Sequence, residues 1–273
     1  MNRIKRFALK QALTKSKGAS GQDFVVREST KKSKYKAVII TNSKGGVGKS
    51  TVATAIALNL SEKYKIGIFD ADISSANLPT ILDIPQNKQV EVKQDGTIVP
   101  LKVNSNLELY SIATFSDRHK ATSIPEKGQD QFIRDASESV EWHTKRIIID
   151  LPGGTNMFKL AMKHFNVLGA MVVTMPNQVE DTNRIIDLCL HNGVQIIGLC
   201  ENFSGAVWDD GKYIMNDGEH FAPFGHDSMH GLCDEFGVEH LGNIPLFQNF
   251  SVDKVRKWDT VKLLTHKIQK ILQ

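Results

Sequence analysis

Between Lys36 and Thr51 the chain reads KAVIITNSKGGVGKST, a stretch whose residue types suit phosphate binding. Gly45, Gly46 and Gly48 permit backbone angles and close approaches that other residues resist, so their N–H groups can form a nest around an anion. Lys49 adds a point charge for the β- and γ-phosphates, and the Ser50 hydroxyl suits a Mg²⁺ ion. The apolar run Ala37–Ile40 predicts a buried parallel strand before the loop, and a helix over 52–60 should follow, its positive end aimed at the ligand. Gly45, Gly46, Val47, Gly48, Lys49, Ser50 and Thr51 are therefore the expected nucleotide-binding set. Ser43 stands where the general GxxxxGK[ST] pattern has its first glycine.

Two further apolar runs end in acids. KIGIFD (65–70) is followed by Ala71 and Asp72, and KRIIID (145–150) by LPGGT. Ligands of an open α/β sheet gather at the carboxyl ends of its strands, so Asp70, Asp72 and Asp150 should lie beside the phosphates and their metal. The bland alternative for each is an acid that caps a turn or a helix.

KGGVGKST resembles the deviant P-loop of the MinD, ParA and Mrp/ApbC ATPases, in which an extra lysine, here Lys44, reaches the nucleotide of a partner subunit. NLPTILDI and DGTIVPLKVNSNLELYSI, within 76–112, resemble the Mrp/ApbC members in particular. DLPGGT (150–155) resembles their second switch, usually DLPPG(T), with Gly153 in place of a second proline; greater mobility of that switch is expected. Glu201-Asn202-Phe203-Ser204 resembles the family's ENMS segment, and HLGNIPL, with Pro245, its last strand and the loop over the base.

This resemblance implies a doubly wound, mostly parallel α/β sheet with helices on both faces, binding ATP and Mg²⁺. It assigns Lys44, Lys49 and Asp72 to catalysis, with Asp72 placing the attacking water. Ser50, Asp70 and Asp150 go to the metal, and Asn202 to the adenine edge, which a carboxamide can read by paired hydrogen bonds. Slow, partner-stimulated hydrolysis in a homodimer with composite sites follows from the same likeness. One feature of Mrp/ApbC proteins is missing: no CxxC follows the ENFS segment, so an iron–sulfur cluster is not expected on this chain. A protein partner or cargo is implied but not named.

Behind these motifs stand 273 residues with a formal charge of +4, enough for one large core without disulfides or a structural metal. Residues 1–36 hold eleven Lys and Arg against two acids, a local excess of nine positive charges, so the remainder is mildly acidic. A basic arm and linker over 1–34 and an ATPase domain over 35–273 are the expected division, with a small hairpin inserted near 86–104. Residues 3–15 carry an amphipathic helical pattern. It could touch nucleic acid or an anionic membrane, or could simply dock on the body or stay solvated. Cys189, Cys200 and Cys233 are widely spaced within apolar segments. They read as reduced, buried thiols and, with no secretion signal or membrane-length run, point to a cytoplasmic protein.

Two patterns near the end remain. His226, His230 and Cys233 share helical spacing that could ligate a metal but more often marks surface contacts. Val255, Trp258, Val261, Leu264, Ile268 and Ile271 give the last helix an apolar face, suited to packing on the core or, as in MinD proteins, to a membrane. The rival to an Mrp-type carrier is a ParA/MinD-like positioning ATPase acting on DNA or membrane, and a more remote one is a small-molecule enzyme on the same scaffold.

Overall fold

A computed structural model describes residues 33–115, 126–225 and 228–273. The amphipathic stretch 3–15, the arm's expected nucleic-acid or membrane contact, and His226 lie outside the described residues.

Strands β1 (Lys36–Thr41), β2 (Ile66–Asp70), β6 (Leu107–Ser111), β7 (Arg146–Asp150), β8 (Asn166–Thr174), β9 (Ile196–Val207) and β12 (His240–Phe247) pair in parallel. A short β5 (Leu101–Lys102) adds antiparallel to β6, giving the order β12-β9-β8-β1-β7-β2-β6-β5. The expected hairpin forms as β3 (Glu91–Val92) against β4 (Ile98–Val99), and a second one as β10 (Met215–Asn216) against β11 (Glu219–His220).

Strand chemistry explains why both faces are covered. Every residue of β1 after Lys36 is buried, and its side chains alternate: Ala37 and Ile39 enter one core, Val38 and Ile40 the other. The first core receives α3 (Glu126–Glu138), α4 (Asn156–His164) and α5 (Val179–His191). Phe69, Tyr110 and Phe132 meet there with ring centroids 5.0 to 5.5 Å apart. The second core receives α1 (Lys49–Ser61), α7 (Val252–Lys257) and α8 (Asp259–Leu272).

Two boundaries differ from the sequence reading. The apolar run before ENFS predicts a strand over 194–200, whereas β9 runs on through ENFS to Val207. The single terminal helix is two, divided at Trp258, whose backbone is extended (φ −66°, ψ 139°). Trp258 Nε1 and Thr260 Oγ1 both donate to the Asn243 carbonyl, at 2.9 and 2.8 Å, which holds the break in place. Val255, Val261, Leu264 and Ile268 are buried against the sheet and α1, so this apolar face is occupied by the core. No helix among the described residues is long and apolar enough to cross a membrane.

Candidate functional site

The loop leaves β1 at Thr41 and enters α1 at Lys49, between the carboxyl ends of β7 and β8. Asn42 ties it down: its Nδ2 donates to Val173 O of β8 at 2.7 Å, and its Oδ1 accepts from Lys44 N at 3.1 Å. Gly46 (φ 78°) and Gly48 (φ 88°) turn the backbone through the left-handed region, and Gly48 is the N-cap of α1. Lys44, Gly45 and Gly46 are exposed. Val47 is buried beneath them, while Ser50 and Thr51 are half-buried in the helix's first turn.

Lys49 is buried, and its Nζ donates to the Lys44 carbonyl at 2.8 Å, so the ammonium crosses the loop's mouth. Burial lowers its pKa, against which Asp150 and Asp72 favour the charge. Lys44 itself points outward, its Nζ 3.8 Å from Asp181 Oδ2 in the first turn of α5. Asp181 is also held by Ser43, whose Oγ donates to its carbonyl at 2.7 Å, and by Arg184 Nη1 at 3.0 Å.

The three acids separate into different environments. Asp70 and Asp150 are register partners at the ends of β2 and β7, and both are fully buried. Asp70 Oδ2 accepts from Ser111 Oγ at 2.9 Å and from Leu78 N at 3.3 Å, and its Oδ1 accepts from Asp72 N at 3.3 Å. Burial, then the neighbouring Asp150, push the Asp70 carboxyl well above the usual carboxylate range. Its hydrogen bonds thus run to the protein, fixing β6, the helical turn Leu78–Ile81 (α2) and the Asp72 backbone.

Asp150 differs, because among the described residues neither of its oxygens has a hydrogen-bond partner although both are buried. Burial pushes its pKa up to about 7; the Ser50 hydroxyl beside it and the Lys49 ammonium pull the other way. Unpaired buried carboxylate oxygens are costly, and a partner that supplies donors there is favoured accordingly. A hydrated divalent cation held by Ser50 fits that role: Mg²⁺ keeps several waters and takes one or two carboxylates plus substrate phosphates. Asp72, half-buried, accepts from Ser75 N at 3.0 Å and acts electrostatically on both Lys49 and Asp150.

The second switch packs onto the loop. Gly154 N donates to Ser43 O at 2.9 Å, and a Cβ at Gly153 would stand 3.0 Å from Gly45 N and 3.1 Å from Ser43 O. Gly153 therefore serves close backbone approach, a reason for glycine distinct from the looseness expected of a missing proline.

Asn202 lies across the loop from Gly48, and its Nδ2 donates to Val47 O at 3.0 Å. Pro245 is buried in β12, where register shifts between Ile244, the partner of Asn202, and Leu246, the partner of Ala206. Phe203 (φ 61°) is one of four non-glycine residues with positive φ among the described ones, and its ring meets that of Phe224 at a tilt of 43° with centroids 5.7 Å apart. Asn42, Asp181 and Ser111 were missed from sequence. Asn42 had a readable cue, a short amide at a strand's end before a glycine loop; Asp181 and Ser111 act through tertiary contacts that no spacing reveals.

Cys189, Cys200 and Cys233 are buried, and none of the three is in a disulfide. Burial pushes the Cys189 and Cys200 thiols up to about 12, which keeps them protonated and unreactive. His230 and Cys233 lie on α6 (His230–Phe236), with the His230 ring 4.5 Å from that of His240. Among the described residues no group of three or more His, Cys, Asp or Glu is placed to hold a metal ion.

A glycine nest at the end of the first core strand, a lysine across its mouth, and an unpaired aspartate on the neighbouring strand define a P-loop NTPase. Over residues 33–271 the sequence matches the family described as "ParA: NUBPL iron-transfer P-loop NTPase", and the chain belongs to that family. It is 30% identical over 219 residues to the cytosolic Fe–S cluster assembly factor Nubp2 homolog of Aedes aegypti, covering 77% of this chain and 82% of that one. To the iron–sulfur cluster carrier protein of Methanocaldococcus jannaschii it is 34% identical over 234 residues, covering 82% and 77%. The fold is similar to that of a nucleotide-binding protein from Archaeoglobus fulgidus in complex with ADP, with TM-score 0.62, 19% identity and coverage of 99% and 98%. It is also similar to MinD from Pyrococcus horikoshii complexed with Mg-ADP, with TM-score 0.55, 18% identity and coverage of 86% and 94%.

Proposed function

We propose that this chain binds ATP with Mg²⁺, hydrolyses it slowly as a homodimeric switch, and serves iron–sulfur cluster assembly or transfer in the cytoplasm without a CxxC cluster of its own. The observation that carries the reading is Asp150: two buried, unpartnered carboxylate oxygens beside Ser50 and Lys49, at the rim of a glycine nest. The relatives' printed roles, a cluster assembly factor and a cluster carrier, support the cargo.

The chain's own residues divide the work. Amides of Gly45, Gly46, Val47 and Gly48 and the first turn of α1 cradle the phosphates, and Thr51 completes that turn. Lys49 gives up the Lys44 carbonyl for the β/γ-phosphate oxygens, a short swing for a group already in the loop's mouth. Ser50 and Asp150 would hold Mg²⁺, which when bound would neutralise charge on the phosphates. Asp70, expected in the metal's shell, has both carboxylate oxygens taken by Ser111, Leu78 and Asp72, so it takes part indirectly by fixing the backbone of Asp72, and the Asp72 carboxylate orients the attacking water. Asn202 steadies Val47 with one N–H and offers the rest of its carboxamide to adenine, with Pro245 behind it in β12. Lys44, exposed on the loop's outer side, crosses to the nucleotide of the second copy.

Calorimetry with ATP and Mg²⁺ should show one site per chain that is lost in Lys49→Ala, together with phosphate release. Reconstitution with iron and sulfide should yield no visible-absorbing cluster. Absence of adenine-nucleotide binding in the presence of Mg²⁺ would refute the site, whereas cluster formation would refute only the cargo-side claim.

A further inference from the structure

The carboxyl ends of β1, β7 and β2 hold the nucleotide site; their amino ends hold a second concave surface. Parallel pairing brings all three entries to one edge. Lys36 of β1 is the register partner of Arg146 of β7, and Lys65 directly precedes β2 on the other side of β7. Thr144 locks this edge, since its Oγ1 donates to Lys65 O at 2.6 Å and accepts from Arg146 N at 3.0 Å. The resulting groove encloses about 770 Å³, within the size range of small-molecule sites. Among the described residues its walls carry Lys34, Lys36, Lys63, Lys65, Lys145 and Arg146, and no Asp or Glu.

Such crowding of like charge on a folded edge is unfavourable unless something answers it. Some of these cations are engaged: Lys36 Nζ donates to Gln273 O at 3.1 Å, and Arg146 and Lys34 stand over the Tyr64 and Tyr35 rings, at 5.4 and 5.0 Å. Lys63, Lys65 and Lys145 are exposed and make no ion pair among the described residues. The arm, which joins the body at this wall, has the same sign of charge and is no counterion for it. A concave site with three spare ammonium groups around its rim matches a compact cluster of phosphates better than an extended backbone, because lysines act as separately placed point charges.

We propose that this groove is a second anion site, independent of the P-loop, that takes a compact, multiply phosphorylated group. The source is either a free polyphosphate or the headgroup of a phosphorylated lipid. It lies roughly 13 Å from the nucleotide edge, the length of β7 at about 3.3 Å per residue, so both sites can be filled at once.

The test uses the full chain with its P-loop saturated by ADP and Mg²⁺. Inositol hexakisphosphate is titrated into wild type, into Lys63→Gln/Lys65→Gln/Lys145→Gln, and into an arm variant, Arg3→Gln/Lys5→Gln/Arg6→Gln/Lys10→Gln. All three groove lysines are exposed, so their neutralisation leaves the fold and ADP binding intact. The expected result is saturable, salt-sensitive binding that weakens about tenfold or more in the groove variant and persists in the arm variant. Cosedimentation with phosphatidylcholine vesicles containing a phosphatidylinositol bisphosphate, lost in the groove variant, assigns the lipid headgroup. Binding of the free probe without cosedimentation assigns a soluble ligand, and either result supports the site. Equal binding by wild type and groove variant, dependence on the arm alone, or tighter groove-dependent binding of an RNA duplex overturns it.

Discussion

Asn202 Nδ2 donates a 3.0 Å hydrogen bond to the carbonyl of Val47, 155 residues earlier in the chain. The bond joins β9, at the far side of the site, to the middle of the phosphate loop, so the base-side and phosphate-side walls are set against each other before any ligand arrives. A buried carboxamide committed in this way also fixes what can stand opposite it: a Cβ on Gly48 would lie 2.1 Å from that same Nδ2.

Gly48→Ala therefore acts twice. Its φ of 88° is strained for alanine, at about 1 kcal/mol or more, and the methyl displaces Asn202 from Val47. ATP affinity should fall by about a hundredfold, whereas Gly96→Ala, which has a similar φ and open space around it, should leave affinity unchanged at a comparable backbone cost. Isothermal titration of both variants with ATP and Mg²⁺ separates the collision from the strain.

Asp150 makes Mg²⁺-dependent binding sensitive to pH. With its pKa raised to about 7, the free protein carries a proton there at pH 6 that the cation must displace. Affinity for ADP with Mg²⁺ should weaken about tenfold between pH 8 and pH 6, one proton being taken up from buffer as the complex dissociates. The ligand-free fold has the opposite preference. A carboxyl whose folded pKa lies above its unfolded value favours the fold at low pH, and that contribution fades as pH rises through about 7. Asp150→Asn should flatten both profiles, as read by calorimetry in buffers of different ionisation enthalpy and by thermal melts without ligand.

The loop and both acid-ended strands were legible because each is a local pattern: an apolar run that stops at a glycine or an acid; Asn202 was singled out by the likeness of ENFS to a family segment, not by such a pattern. What local pattern cannot convey is which acid is already occupied. Asp70 and Asp150 end similar strands, yet Ser111, which follows a third apolar run, takes up Asp70 and leaves Asp150 unpartnered. The extension of β9 through ENFS to Val207 was also hidden, since pairing with β12 overrides the polar and glycine residues within it. The break at Trp258 escaped for the same reason: the apolar spacing continues across it, and only the bonds to the Asn243 carbonyl divide the helix.

Asp130 sets the helix that follows the second switch. Its carboxylate accepts from Lys163 Nζ at 2.7 Å, His164 Nε2 at 2.9 Å and Arg134 Nη2 at 2.8 Å, tying α3 to the last turn of α4. Burial pushes its pKa up, but the bonds from Lys163, His164 and Arg134 outweigh it and hold the carboxyl well below the usual range. A depressed carboxyl pKa stabilises the fold above the unfolded value, and the contribution is lost as pH falls through the folded one. Because the group is partly exposed, Asp130→Asn should cost about 1–2 kcal/mol at pH 7, a Tm lower by about 3–6 °C, with the gap closing at strongly acid pH. Melts of the variant and wild type across that range provide the measurement.

Lys44 gives the sharpest test of the dimer. Its side chain is half exposed and meets Asp181 only at 3.8 Å, while Arg184 holds the same carboxylate at 3.0 Å, so the pair contributes little to stability. Its carbonyl is what the fold uses, as acceptor for Lys49 Nζ at 2.8 Å, and Lys44→Ala keeps that carbonyl. The substitution therefore removes the outward ammonium and nothing that shapes the loop. Stability should stay within about 0.5 kcal/mol and ATP affinity within about twofold, while ATP-dependent dimerisation and phosphate release disappear. Light scattering with and without ATP, run beside a phosphate-release assay, reads each of these. Undiminished turnover in the variant would mean that the lysine stays on its own subunit and that each site works alone.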